Sequence, residues 1–210
     1  MQKALTVGSP TFPKVSIIST RSNRIPAIAL DLDKTIWRET PQMAQVEAEI
    51  MDYLNRNKSG ITFSDKVEQW SRWEKLAVGD LEVNEEMLDF TRRLQKSGIS
   101  VNVMTARSAR IQESTLKLLN KRGFSPNEVF FRPNTTEGEL QYAADMKVGW
   151  IRKSSDRYNY LSIIDDSEST VKAALGAGVP SALQPYAKGV DPKFLERSRG
   201  KRFEDNEGYV

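Results

Sequence analysis

Short apolar runs recur along the chain and alternate with longer stretches in which apolar residues repeat at helical spacing. Runs this short and this apolar are typical of strands that are buried on both faces. They occupy residues 27–30, 101–104, 129–131 and 161–164, and a weaker fifth candidate spans 179–183. Strands that alternate with helices form βαβ units around a parallel sheet. The predicted fold class is therefore α/β with a Rossmann-like parallel sheet.

Capping residues mark the ends of the helical stretches. Asn84 precedes an apolar stripe that ends before Gly98, a second stripe ends at Gly123, and a third follows Ser167. Asn and Ser are favoured N-caps because their side chains accept a backbone N–H bond, whereas glycine readily adopts the left-handed conformation that ends a helix. We therefore expect helices in the segments that connect the strands.

Residues 38–83 interrupt the alternation directly after the first strand. Pro41 is expected to open one helix and Ser64 a second, with Trp70 and Trp73 packed between the two helices. The segment is therefore predicted to be a small helical insertion. The predicted organisation is a core of residues 1–37 and 84–190, a helical insertion at 38–83, and a polar C-terminal tail at 191–210.

The composition excludes several classes of enzyme. The 210 residues include no cysteine and no histidine. Thiolate catalysis, cysteine-based zinc sites and Ser-His-Asp hydrolysis are therefore excluded, and any metal must bind oxygen ligands. No stretch has the apolar length of a membrane span or of a signal peptide, so we expect a soluble, cytoplasmic protein.

Charge is distributed unevenly along the chain. The net charge is +3, but residues 38–86 hold 6 basic and 11 acidic residues, a local balance of −5, and basic residues cluster between Arg197 and Arg202. A basic surface favours nucleic-acid binding, whereas an acidic insertion opposes it. A nucleic-acid partner is therefore an alternative that the sequence does not favour.

Polar side chains stand at the carboxyl ends of the predicted strands. Asp31 and Asp33 follow the first strand, Thr105 ends the second, and Asp165 and Asp166 follow the fourth. In an open parallel sheet these ends lie at one edge, which is where ligands bind. Four carboxylates at one edge repel each other unless a cation lies among them, and an all-oxygen ligand set favours Mg²⁺. The sequence therefore predicts a magnesium site.

In these motifs the sequence resembles the haloacid dehalogenase superfamily, and within it the magnesium-dependent phosphatases with a small helical cap. The family's D-x-D-x-T motif corresponds to Asp31–Thr35, its threonine motif to Thr105, and its acidic pair to Asp165 and Asp166. The family also has a lysine on the helix before the last of these strands, for which Lys147 and Lys153 are the candidates. We choose Lys147, because a helix and a turn fit between it and the strand. The insertion at 38–83 lies where the family has its cap.

The resemblance implies a phosphatase that acts through an aspartyl phosphate. Asp31 would be the nucleophile, and Asp33 would protonate the leaving oxygen and then activate water. Thr105 and Lys147 would hold the phosphoryl group, and Arg107 would either contact the substrate or have a structural role at the entry of the next helix. The implied magnesium ligands are Asp31, Asp33 through its backbone carbonyl, Asp165 and Asp166.

The substrate is less well defined by the sequence. The expected substrate is a small phosphoester or a phosphorylated side chain such as phosphotyrosine, for which Trp37 beside the first motif gives slight support. Two alternatives stay open: a polynucleotide phosphatase, and a phosphate-binding or interaction protein without turnover.

Overall fold

The computed structural model describes residues 23–57, 59–79 and 81–183, together with two short strands at Pro185–Tyr186 and Gly189–Val190. The predicted tail at 191–210 lies outside these residues. Within them, five strands form a parallel sheet in the order β3-β2-β1-β4-β5. The strands are β1 Ile25–Leu30, β2 Ser100–Ser108, β3 Glu128–Arg132, β4 Tyr158–Ile164 and β5 Ala182–Leu183. The predicted α/β class with a parallel sheet is therefore confirmed.

Seven α-helices lie in the described part of the chain, and a 3₁₀ turn at Ala109–Ile111 follows β2. The helices are α1 Pro41–Arg56, α2 Phe63–Ala77, α3 Glu85–Lys96, α4 Gln112–Lys121, α5 Thr136–Leu140, α6 Ala143–Lys153 and α7 Glu168–Gly176. No helix within the described ranges has both the length and the apolar character required to span a bilayer.

The central strand β1 is buried on both faces, as its apolar run predicts. Successive side chains of a strand point to opposite faces of the sheet. Ile28 and Leu30 accordingly join one apolar cluster, while Ala27 and Ala29 join a second cluster on the other face. All four residues are at most 4% exposed. The sheet therefore separates two layers of packing, and its central strand ends in the interior of the protein.

Local capping accounts for most of the helix ends. The Asn84 side chain accepts the Met87 N–H, and the backbone of Gly98 and Gly123 is left-handed, with φ of 80° and 65°, as expected after α3 and α4. The helix α2 begins at Phe63, one residue before Ser64, where it was expected to open. Thr62 caps the helix, because Thr62 and Asp65 bond each other's backbone N–H groups reciprocally.

The helices α1 and α2 pack against each other and against the sheet layer. Met43, Ile50 and Trp73 belong to the same apolar cluster as Leu30 of the central strand. Trp70 packs against this cluster and meets Trp73 edge to face, with ring centroids 6.0 Å apart. The two tryptophans therefore pack as predicted, and the inserted helices share their core with the sheet.

The second strand extends further than the sequence indicates. It was expected to end in Thr105, but β2 continues to Ser108. Its pairing with β3 is regular up to Thr105 and shifts before Ser108, which pairs with Arg132. The extension carries Arg107 and Ser108 to the edge of the sheet where the acidic motifs lie, so this edge has more side chains than predicted.

Candidate active site

A tight loop follows β1 and carries the D-x-D-x-T motif. The Asp31 N–H bonds the Ile164 carbonyl of β4 at 2.8 Å, which ties the ends of the two strands together. Beyond it, the N–H groups of Thr35, Ile36 and Trp37 all point to the Leu32 carbonyl, at 3.2, 2.8 and 2.9 Å. The loop therefore turns back on itself just beyond the sheet edge.

The turn requires an unusual backbone conformation at Lys34. This residue has φ of 62°, in the left-handed region, which costs a non-glycine residue about 1 kcal/mol or more. Its ammonium contacts Glu39 and Glu47 at 3.2 and 2.9 Å. These ion pairs bind the loop to α1 and help to hold the strained turn.

Lys147 lies at the centre of the site. This residue of α6 is 3% exposed, and its Nζ donates to Asp31 Oδ1 at 2.6 Å and to Asp165 Oδ2 at 2.7 Å. Burial lowers the pKa of Lys147, but the two carboxylates outweigh burial and raise it, so the side chain stays charged. Lys153, the other candidate, is exposed in the last turn of α6.

Three carboxylates converge beside this ammonium. Asp31, Asp165 and Asp166 each offer an oxygen, and the three oxygens lie within 4.8 Å of one another. Burial is the main cause that raises the pKa of Asp31, and burial with the Asp165 charge raises the pKa of Asp166 to about 6. Three carboxylates and one ammonium leave two negative charges, which a divalent cation would balance. The oxygen ligands and the charge therefore both fit Mg²⁺.

Asp33 stands apart from this carboxylate group. Its carboxylate accepts from Arg107 Nε at 2.9 and 3.2 Å and from Nη2 at 2.6 Å. The Arg107 side chain is fully buried, and its Nη1 donates to the Thr115 hydroxyl at 3.3 Å. The guanidinium therefore orients Asp33, which is a different contact from the phosphate contact expected for Arg107.

Two threonines of the motifs, Thr35 and Thr105, do not line the main cavity. Thr105 is fully buried, and its hydroxyl accepts the Arg107 N–H at 3.2 Å; the residue does not line the main cavity. The Thr35 hydroxyl is buried, with no hydrogen-bond partner among the described residues. Thr105 thus lies in β2 two residues before Arg107, close to the site, and its contact with phosphate stays a prediction.

A cavity of about 830 Å³ opens above the carboxylates. Its floor contains Asp31, Asp33, Lys147, Asp165 and Asp166, so the structure brings the predicted acidic residues and lysine together at one surface. The walls come from the inserted helices α1 and α2 and from the segment around α5. The wall residues that no motif marks include Glu47, Lys66, Trp70, Trp73, Glu74, Arg132, Glu139 and Tyr142.

One signal for these wall residues was present in the sequence. Lys66, Trp70 and Trp73 are spaced four and three residues apart, which places them on one face of α2. The contribution of α5 had no such signal, because a five-residue helix is too short to show a period. Trp37, by contrast, is 2% exposed and does not line this cavity. The slight support that it gave for phosphotyrosine is therefore lost.

Arg110 joins the two sides of the cavity wall. Its guanidinium contacts Glu74 of α2 at 2.9 Å and Glu139 of α5 at 2.7 Å. Both carboxylates are buried, and burial raises the pKa of Glu74. Removing one partner from such a group leaves a buried charge without compensation, which is strongly destabilising. The ion pairs therefore fix the inserted helices over the sheet edge.

Solved structures share this fold at low sequence identity. A haloacid dehalogenase-like hydrolase from Streptococcus pneumoniae aligns with a TM-score of 0.53 and 15% identity, over 82% of this chain and 90% of its own. A predicted phosphatase from Clostridium acetobutylicum aligns with a TM-score of 0.58 and 12% identity, over 84% and 91% of the two chains. A chain of the Pnkp1/Rnl/Hen1 RNA repair complex aligns with a TM-score of 0.53 and 12% identity over 82% of this chain.

The alignment covers 46% of the RNA repair chain, so the present chain spans less than half of that protein. No protein-family model matches the sequence, and no curated protein matches it either. The three structural likenesses establish the architecture: the chain has the haloacid dehalogenase-like fold, as its motifs predicted.

The placement of the two candidate lysines gives a first prediction. Lys147→Ala should lower the rate of phosphoester hydrolysis by about 10²–10³-fold, the usual effect of removing one donor to developing charge. Lys153→Ala is the matched control on the same helix and should change the rate little. Steady-state kinetics of both variants, with circular dichroism to verify folding, would check this. Similar losses in the two variants, or a larger loss in Lys153→Ala, would show that Lys147 is not the lysine of the motif.

Proposed function

We propose that this protein is a Mg²⁺-dependent phosphomonoesterase that acts through an aspartyl phosphate. One observation carries the proposal: Lys147 and three converging carboxylates form the floor of an 830 Å³ cavity, and Asp33 lines the same cavity. The haloacid dehalogenase-like fold of the chain is consistent with this chemistry.

In the first step, the Asp31 carboxylate attacks phosphorus and a bond forms between its oxygen and the phosphoryl group. The bond from phosphorus to the leaving oxygen breaks, and Asp33 donates a proton to that oxygen. Arg107 holds the Asp33 carboxylate by its fork of donors, so the carboxyl has a defined orientation towards the substrate. The products of this step are a free alcohol and Asp31 phosphate.

In the second step, water attacks phosphorus and releases Asp31. Asp33, now a carboxylate, accepts the proton of the attacking water, which returns Asp33 to its starting state. The bond between Asp31 and phosphorus breaks and inorganic phosphate leaves. The cycle consumes one water and returns both aspartates to their starting states.

Lys147 stabilises the phosphoryl oxygens through its buried ammonium, and Thr105 is proposed to add a hydroxyl donor at the strand end. Asp31, the backbone carbonyl of Asp33, Asp165 and Asp166 would hold Mg²⁺. When bound, this ion balances the negative charge of the site and lowers the pKa of Asp31, which favours the carboxylate form that a nucleophile requires.

The expected substrate is a small phosphoester or a phosphorylated side chain. The cavity is large enough for a drug-sized ligand, and its walls carry Trp70, Trp73 and Tyr142. Such walls suit a substrate whose leaving group has an aromatic ring, and phosphotyrosine is one example of such a substrate. This support replaces the one that Trp37 was expected to give.

A polynucleotide phosphatase is the second candidate, because part of the acidic charge of the insertion is paired with cations that lie outside it. Glu47 pairs with Lys34, and Glu74 pairs with Arg110. The negative balance of residues 38–86 is therefore weaker evidence against a phosphodiester backbone than composition indicates. The likeness to a chain of an RNA repair complex is consistent with this candidate.

Hydrolysis of a chromogenic phosphoester gives the direct test of activity. The purified protein should release phosphate in the presence of Mg²⁺, lose this activity in EDTA, and regain it when Mg²⁺ is added. Asp31→Asn should abolish turnover and keep the fold, because the amide is not a nucleophile towards phosphorus. Folded protein that binds phosphate but never turns over an ester would support the non-catalytic alternative.

The role of Asp33 gives a test of mechanism. A nitrophenolate leaves as a stable anion, whereas the alkoxide of a sugar phosphate requires a proton. General acid catalysis contributes about 10²–10⁴-fold, so Asp33→Asn should slow the first step by this amount for alkyl esters and far less for aryl esters. Single-turnover kinetics on both esters would measure the difference. Equal losses for the two esters would mean that the Asp33 carboxyl does not donate the proton and serves only to position the site through its contact with Arg107.

A further inference from the structure

Most cations on the cavity wall are paired with carboxylates. Lys34 pairs with Glu47, Arg107 with Asp33, and Lys147 with Asp31 and Asp165. Lys66 and Arg132 line the same cavity and differ from the others. Over the ranges that the structure describes, neither side chain forms an ion pair with a carboxylate, and both donate to backbone carbonyls instead.

Arg132 is held rigidly at the end of β3. Its Nε donates to the Ala106 carbonyl at 3.1 Å, and its Nη1 donates to the carbonyls of Gly138 and Gln141, both at 2.7 Å. Within the described residues, its Nη2 has no acceptor. The Gly138 carbonyl is placed by close packing, because a Cβ added at Gly138 would lie 2.4 Å from the Pro133 carbonyl oxygen. The guanidinium is therefore held in one orientation, and its Nη2 can still donate hydrogen bonds to a ligand.

Lys66 projects from α2 towards the same segment. Its Nζ donates to the Glu139 carbonyl, which uses one of its three donor hydrogens. The carboxylate of Glu139 is bound by Arg110 at 2.7 Å, so it is engaged elsewhere. Burial lowers the pKa of Lys66, the nearby charge of Arg132 lowers it further, and the Glu139 charge acts in the opposite direction. Two positive charges thus lie close together, and the carboxylate that acts on both of them, Glu139, is already paired with Arg110.

We propose that Lys66 and Arg132 form a second anion subsite, which binds a second phosphoryl group of the substrate while the first lies at Asp31. An anion would satisfy the unused donors of both side chains and relieve their mutual repulsion. The inference rests on the proposed phosphatase function for the location of the first phosphoryl group. The second group is either a terminal phosphate of a small bisphosphate or the phosphodiester that neighbours a terminal phosphate in an oligonucleotide.

Calorimetric binding to the Asp31→Asn variant with Mg²⁺ tests the subsite without turnover. The ligands are adenosine 3′-monophosphate, adenosine 5′-monophosphate, adenosine 3′,5′-bisphosphate and a 3′-phosphorylated diadenylate. The bisphosphate, the dinucleotide or both should bind more tightly than either monophosphate by about 10- to 100-fold, the usual strength of a charged hydrogen-bonded contact. An advantage for the dinucleotide identifies a polynucleotide end as the source, and an advantage confined to the bisphosphate identifies a small molecule.

Lys66→Met and Arg132→Gln, each added to Asp31→Asn, should remove most of this advantage and affect the monophosphates much less. Lys75→Met is the matched control, because Lys75 is exposed on the same helix and does not line the cavity. If Arg132→Gln fails to fold, Lys66→Met alone decides the outcome. The inference is overturned if the second phosphate adds no affinity, or if its advantage survives the loss of the Lys66 charge.

Turnover by the unmodified protein separates this inference from the proposed function. Hydrolysis of phosphoesters without any preference for a second phosphate leaves the phosphatase proposal intact and overturns the subsite. A Lys66-dependent preference in binding, in a protein that hydrolyses no phosphoester, supports the anion subsite and contradicts the phosphatase proposal.

Discussion

The buried ammonium of Lys147 between Asp31 and Asp165 is the interaction on which the rest of the site depends. Lys147 Nζ lies 2.6 Å from Asp31 Oδ1 and 2.7 Å from Asp165 Oδ2, although these residues are 116 and 18 positions away from Lys147 in the sequence. Buried carboxylates are costly unless their charge is compensated, and one ammonium compensates only part of this group. The adjacent positions of β1 and β4 force the carboxylates together, so the fold itself creates a surface that requires cations.

The cavity above this surface is lined by residues from separate parts of the chain, namely α1, α2 and the segment around α5. The helices α1 and α2 share their core with the sheet, and Arg110 links α2 to α5 through Glu74 and Glu139. The same α5 segment supplies the carbonyls that orient Arg132 and Lys66. The contacts that position the inserted helices thus also position the charges on the wall, so wall mutations should alter substrate preference and stability together.

The acidic residues of the site could be predicted because their signals are local. Asp31 and Asp165 each follow an apolar strand, and in a parallel sheet all such ends lie at one edge. The spacing of Lys66 with Trp70 and Trp73 places these residues on one face of α2, but the proximity of Lys66 to Arg132 could not be predicted, because it depends on how α2 packs against the α5 segment. The extension of β2 past Thr105 was missed for a similar reason, since Ser108 is paired by Arg132 of another strand. Patterns within one strand or helix could therefore be used for prediction, whereas contacts that depend on how separate elements pack could not be predicted.

A crystal structure with Mg²⁺ and beryllium fluoride, which mimics a phosphoryl group on a carboxylate, would test the central claim most directly. We expect a beryllium fluoride adduct on an oxygen of Asp31, with Lys147 Nζ within hydrogen-bond distance of a fluorine. We also expect Mg²⁺ bound by Asp31, Asp165 or Asp166 beside the adduct. An adduct on Asp33, or a magnesium-loaded site in which Asp31 carries none, would contradict Asp31 as the nucleophile.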